Sequence, residues 1–266
     1  MDHLLIDRPI EGVVRLTLNR PDTLNSLSRE LVKDFSAALD DLAEDSSCRV
    51  VILTGAGRAF CSGQDMRAAA HRQIPGVSSS VEKMGWQSRF AGMSQRMRRM
   101  PQPVICAVNG VAAGAGMAIA VGADIRIGTP QTRFLVASVR IGLSAGESGI
   151  SYFLPRWIGA ARAFEIMLTG RPIDADEALR TGLILRMVEA DALAEAALDQ
   201  ARAIMANSPF AVAQTKRIMW RNLDASSLDL ALDIENPTQI VANTTADYRE
   251  ALTAFNEKRP PRFTGE

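Results

Sequence analysis

Apolar runs of strand length alternate with segments of helical periodicity over roughly the first half of the chain, and helical periodicity alone follows Gly142. Val13-Val14-Arg15-Leu16-Thr17-Leu18 reads as a strand, and Asn19-Arg20-Pro21-Asp22 as the turn after it. Ser28 is placed to cap a helix whose one face carries Leu31, Phe35, Ala38, Leu39 and Leu42. Val50 to Leu53 is the next strand, closed by Thr54-Gly55-Ala56-Gly57. Residues 66–100 are polar and helical, with a loop expected at Ile74-Pro75-Gly76 and Ser78-Ser79-Ser80. Val104 to Val108 is a strand, Gly114 to Val121 a small-residue helix, and 125–127 and 134–136 are short strands. Later helices are expected over 147–157, 160–168, 174–180, 190–206 and 209–221, with more from 226 onward. This order predicts an α/β fold with crossover connections. The strand-turn-helix units recur, but without a fixed sequence period.

Two glycine-rich turns stand out: Phe60-Cys61-Ser62-Gly63-Gln64-Asp65, and Asn109 to Met117. Each follows an apolar strand and leads toward a helix. That arrangement presents unpaired N–H groups at helix starts, where the dipole is positive. Two such donors aimed at one developing negative oxygen make an oxyanion hole.

Composition narrows the classes. The chain has 266 residues, 47% hydrophobic and 23% charged, enough for a sizeable core. Thirty basic and thirty acidic residues give a formal net charge of +0, which favours neither nucleic acid nor an anionic membrane. The Arg96 to Arg99 cluster reads as a solvated helix face, with phosphate contact as the alternative. Cys48, Cys61 and Cys106 have no CxxC spacing, and only His3 and His71 are available, so no disulfide framework, metal site or histidine triad is expected. No apolar run reaches the ~18 residues of a membrane span. A soluble, reducing, cytoplasmic setting is the expectation.

The segment Pro103 to Ile127 strongly resembles the enoyl-CoA hydratase/isomerase (crotonase) family. So do Asn19-Arg20-Pro21 with Leu24-Asn25-Ser26-Leu27, Ala59 to Asp65, Leu154-Pro155-Arg156 to Gly159, Leu168-Thr169-Gly170 and Ala254 to Arg259. The match runs in order from about residue 12 to 263. The resemblance implies a spiral of ββα units followed by a C-terminal helical trimerisation region. The corresponding division is an acyl-CoA-binding core over 1–200 and a helical oligomerisation region over 201–266. No long linker separates them, so the late helices are expected to pack on the core or on another subunit.

The resemblance also implies a coenzyme A thioester, in a homotrimer or homohexamer, with no further cofactor because coenzyme A is part of the substrate. The thioester carbonyl would sit between the amides of Gln64 and Ala115; glycine is usual at the latter position. Cys61, Ser62, Asp65, Met66 and Ser138 would line the substrate, and Phe255 and Lys258 would meet the nucleotide end of coenzyme A, often from a neighbouring subunit. The other reading of Phe255 and Lys258 is an exposed terminal helix.

The pattern breaks at the acids. The hydratases of this family hold water between two glutamates, whose positions fall here on Ala118 and Ser138. Alanine holds no water, and serine is far too weak a base alone. Glu147, in Gly142 to Gly149, is the remaining acid, where some isomerases and a dehalogenase of the family carry an aspartate. It can act as acid and base, or cap the following helix. Asp65 is expected to hold its loop through backbone N–H groups, Asp124 to support a strand and Cys61 to pack. Met84, Met93, Met97 and Met100 share a helical spacing that suits core or a flexible acyl pocket. Three functions follow: an enolate-forming isomerase or lyase using Glu147, a hydratase with atypical water-positioning residues, or a non-catalytic acyl-CoA-binding protein. A nucleotide site at Gly55 to Phe60 is disfavoured by the bulk of Phe60.

Overall fold

The structure, a computed structural model, describes residues 3–66 and 80–266. The expected loop at 74–80 lies outside these, apart from Ser80. β1 (Leu4–Ile10) and β2 (Val13–Leu18) form an antiparallel hairpin. β1 was not expected: its exposed face carries charges rather than clean alternation. Beyond β2 every pairing in the larger sheet is parallel, in the order β1-β2-β3-β5-β7-β10. Here β3 is Val50–Gly55, β5 Val104–Val108, β7 Ile125–Gly128 and β10 Arg186–Met187. A smaller sheet runs β4-β6-β8-β9, with β4 Ala59–Cys61, β6 Val111–Ala113, β8 Arg133–Leu135 and β9 Pro172–Ile173.

The chain thus visits the larger sheet and then the smaller in successive rounds: β3 then β4, β5 then β6, β7 then β8. α2 (Ser80–Arg99) follows the first round and α3 (Ala115–Gly122) the second. That is a spiral of ββα units. β4 overlaps the first glycine-rich turn and β6 falls inside the second. Three-residue strands of mostly small residues carry no readable period.

The inner strands β2, β3, β5 and β7 are largely buried on both faces, which explains their nearly unbroken apolar runs. Val14, Leu16, Leu18, Val51, Leu53, Val104, Cys106 and Val108 enter the main core. There they meet Leu31, Val32, Phe35 and Leu39 of α1 (Arg29–Glu44), whose first turn is closed by Leu31 N donating to Ser28 Oγ at 3.2 Å. The alternate residues Val13, Val50, Ile52, Ile105, Ala107 and Ile127 pack on Leu193, Ala196, Ala197 and Ala201 of α7 (Leu193–Met205). The expected division at 200/201 falls inside this helix. α4 (Ile150–Ile158), α5 (Ala160–Thr169) and α6 (Ala175–Arg180) lie between. α4 starts three residues later than the expected helix, because Ser148 and Gly149 are left-handed, at φ 48° and 94°. Of the methionine stripe, Met93, Met97 and Met100 are core, whereas Met84 is 66% exposed.

α8 (Pro209–Asn222) is riveted to the core by an ion pair. Lys216 Nζ meets Asp124 Oδ2 at 2.9 Å and donates to the Met97 and Gln102 carbonyls at 2.6 and 2.7 Å. Trp220 Nε1 donates to the other Asp124 oxygen, and Val104 N to Oδ2. Burial pushes the Lys216 amine below its ordinary range, against the pull of Asp124. Asp124 therefore does support a strand, as expected, and anchors a helix as well. α9 (Leu228–Ala242) has no buried residue among those described, and α10 (Ala246–Glu257) buries Asp247 and Ala254.

Removing one member of a buried pair strands its partner's charge. Lys216→Met is expected to destabilise the fold by about 3–5 kcal/mol, read as a lowered denaturation midpoint at matched protein concentration.

Candidate functional site

Gln64 lies just past β4, where the chain makes one parallel bridge to Leu27. Leu27 N donates to the Gly63 carbonyl at 2.8 Å, and Asp65 N to the Leu27 carbonyl at 3.2 Å. Both bonds run through Gln64's neighbours. Successive peptide groups of an extended strand face opposite ways, so the Gln64 N–H points away from Leu27. It has no acceptor among the described residues.

This loop is held from below by a turn in left-handed backbone, Leu24 at φ 54° and Asn25 at φ 56°. Asn25 is fully buried. Its Oδ1 accepts from Arg20 N at 2.8 Å, and its Nδ2 donates to the Ala56 and Ala59 carbonyls at 2.9 and 2.8 Å. The Arg20 guanidinium donates to the Ser26 carbonyl and to Asp65 Oδ2, the latter at 2.9 Å. Asp65 thus meets a side-chain cation. In the sequence Arg20 reads as a turn residue, and both Arg20 and Asn25 stand in motifs that resemble the family, but neither is given a role in the site. An asparagine in a short turn, able to tolerate left-handed φ, was the available signal.

The second donor comes from α3. Gly114, at φ 50°, is its N-cap, and Ala115 is its first residue, so the Ala115 N–H precedes the helix's own bonding ladder. It too lacks an acceptor among the described residues. The two turns are in direct contact. A Cβ on Gly63 would lie 2.8 Å from the Ala113 carbonyl oxygen and 3.5 Å from Ala115 N. One on Gly116 would lie 2.3 Å from the Cys61 carbonyl oxygen. Backbone meets backbone at distances only glycine allows.

Glu147 reaches the same place. A Cβ on Gly114 would lie 3.5 Å from Glu147 Oε1. Ser138, 6% exposed and opening the 3-10 turn Ser138–Ile141, donates its hydroxyl to that same oxygen. The Glu147 side chain does not cap α4, whose N-cap is Gly149 without a side-chain bond. Only its main-chain carbonyl serves the helix, accepting from Ile150 N at 2.8 Å. The next residue, Ser148, is left-handed at φ 48°, and its buried hydroxyl has no partner among the described residues.

The structure therefore brings Gln64, Ala115, Ser138 and Glu147 together. Ala118, 1% exposed, is part of the core. Cys61 is fully buried, and burial pushes its thiol up to about 12, so it packs rather than attacks. Ser62 turns its hydroxyl to the Thr23 carbonyl at 3.2 Å. Met66 is exposed beside this loop. Phe255, 82% exposed, and Lys258, left-handed at the end of α10, stand on the C-terminal helices. The basic cluster is structural in part: Arg96 pairs with Asp40, and Arg98 stacks on Tyr152 and Trp220 and bonds Asp224.

Comparison with known proteins bears on this arrangement. The profile of the enoyl-CoA hydratase/isomerase family matches residues 9–266. The Mycobacterium leprae protein named probable enoyl-CoA hydratase echA12 is 40% identical over 97% of this chain and 89% of its own. The 1,2-epoxyphenylacetyl-CoA isomerase of Escherichia coli is 36% identical over the whole of both chains. The crystal structure of a probable enoyl-CoA hydratase/isomerase from Mycobacterium abscessus superimposes with a TM-score of 0.91 at 37% identity, covering all of both chains.

The contact between the two turns has a direct test. Gly63→Ala is expected to destabilise by about 1–3 kcal/mol, because its Cβ meets main chain and its φ is 92°. Gly85→Ala, in open space on α2, is expected instead to stabilise by about 0.5–1 kcal/mol. Thermal unfolding of both variants reads the opposite signs.

Proposed function

Because this chain belongs to the enoyl-CoA hydratase/isomerase family, we propose that it forms an enolate of a coenzyme A thioester, as a double-bond isomerase or related lyase. Glu147 serves as its acid and base. What supports this above all is a carboxylate, Glu147, beside two amides, those of Gln64 and Ala115, that have no acceptor among the described residues. The positions where the hydratase pattern has glutamates hold Ala118 and Ser138.

The chemistry follows from the groups. The thioester oxygen takes two N–H bonds, each worth roughly 3–4 kcal/mol when charge develops there. Glu147 removes a proton from the carbon next to the thioester, and the C–H electron pair moves into the enolate. When a double bond lies one carbon further on, the protonated Glu147 returns the proton to its far end. The double bond then ends in conjugation with the thioester.

A hydratase using Ser138 and Glu147 would need both groups turned to one water, yet the Ser138 hydroxyl donates straight to Glu147. A pure acyl-CoA carrier would need no carboxylate at this point. The E. coli relative's name, an isomerase of an acyl-CoA, is in keeping with enolate chemistry. Coenzyme A is part of the substrate, and no other cofactor enters the scheme. The proposal extends to a homotrimer or homohexamer that covers α9 and α10, where Leu228, Ile240 and Phe255 are exposed. Phe255 and Lys258 would then approach coenzyme A, and the setting would be cytoplasmic. Among the described residues, no helix is long and apolar enough to cross a membrane.

Incubation with 3-hexenoyl-CoA and with crotonyl-CoA separates isomerisation from hydration. Isomerisation is expected, falling by about 10²–10⁴-fold in Glu147→Gln. Crotonyl-CoA hydration that survives Glu147→Gln overturns the proposal.

A further inference from the structure

The connection from Ser138 to Gly149 is held by a series of short-range bonds. Leu143 N donates to the Ser138 carbonyl at 2.9 Å, behind Gly142 at φ 79°. Gly146 N donates to Ser144 Oγ at 3.1 Å, and Ile150 N to the Glu147 carbonyl at 2.8 Å. Ser148 sits in left-handed backbone, with a buried hydroxyl unpaired among the described residues. Strain and an orphaned group of this kind persist where the surroundings over-determine the conformation. Their outcome is the Glu147 side chain turned back onto Ser138.

We infer that Ser138 is a positioning residue for Glu147: its hydroxyl fixes Oε1 and leaves Oε2 to exchange the proton. The inference rests on the reading of Glu147 as acid and base. A glutamate side chain has several rotatable bonds, and each one left free dilutes the reactive geometry. A hydroxyl donating to a carboxylate is a charge-assisted bond, stronger than a neutral one. It also survives both halves of the reaction. While Glu147 is ionised, Ser138 donates to Oε1. Once the substrate proton has arrived on Oε2, Oε1 is a carbonyl oxygen and still accepts. When the proton leaves Oε2 for the far carbon, the starting arrangement returns. Ser138 itself gives up no proton at any stage.

The test uses the full chain with 3-hexenoyl-CoA, following isomerisation and exchange of the α-hydrogen in D2O. Ser138→Ala is expected to lower kcat by about ten- to a hundredfold while KM stays within about twofold. Ser138→Thr, which keeps the hydroxyl, is expected to restore most of the rate. The double variant Ser138→Ala/Glu147→Gln is expected to be no slower than Glu147→Gln alone, since Ser138 acts through Glu147. Should Ser138→Ala fail to fold, Ser138→Cys keeps the volume with a weak donor and is expected to show the same loss. A wild-type kcat in Ser138→Ala or Ser138→Cys, no recovery in Ser138→Thr, or a further loss in the double variant overturns the inference. Absence of isomerisation in the wild type, or isomerisation or α-hydrogen exchange that survives Glu147→Gln, overturns the acid–base reading beneath it.

Discussion

Main chain lies directly on main chain where the end of β4 meets the start of α3, and the site depends on that seam. Cys61 and Gly63 on one side, and Ala113 and Gly116 on the other, approach more closely than any Cβ allows. This main-chain contact sets the amides of Gln64 and Ala115 beside each other. Polar N–H groups left facing outward at such a seam are costly to keep dry. An acceptor brought to them offsets that cost, and most of all one that gains negative charge.

The larger architecture serves this seam. Each round of the spiral carries the chain from the larger sheet to the smaller, so β4 and β6 lie side by side in parallel although far apart in sequence, with Ala59 opposite Val111. Arg20 and Asn25 brace the first turn from beneath. Leu135, at the end of β8, accepts from Gly114 N at 2.9 Å and braces the second. The third round then leads through Ser138 to Glu147. Three consecutive rounds therefore each contribute one part, in chain order: a donor, a donor and a carboxylate.

Much of this was legible from residue order. The runs Val50 to Leu53 and Val104 to Val108 are long enough, and apolar enough, to be read as buried parallel strands. Ser28 and the spacing from Leu31 to Leu42 define α1. The glycines announced close approaches of backbone. Other parts leave little trace in sequence. β4 and β6 are too short for a period. β1 is mostly exposed and exists because β2 pairs with it. Met84 lies about two and a half helical turns before Met93, on the opposite side of α2, and so faces out. Arg20 with Asp65, and Ser138 with Glu147, are tertiary meetings of residues whose local context reads as turn. Only the folded chain decides that Glu147 bonds a serine instead of capping α4.

The cysteines carry a practical consequence. Cys48, Cys61 and Cys106 are all buried, and burial raises each thiol, Cys48 to about 11 and Cys61 to about 12. Little thiolate exists in the native state at neutral pH, so maleimides and disulfide reagents must wait for the protein to open. Cys61 lies in the seam itself, against Gly116. Its alkylation rate in mild denaturant is thus a built-in clock for separation of the two turns, free of any attached probe.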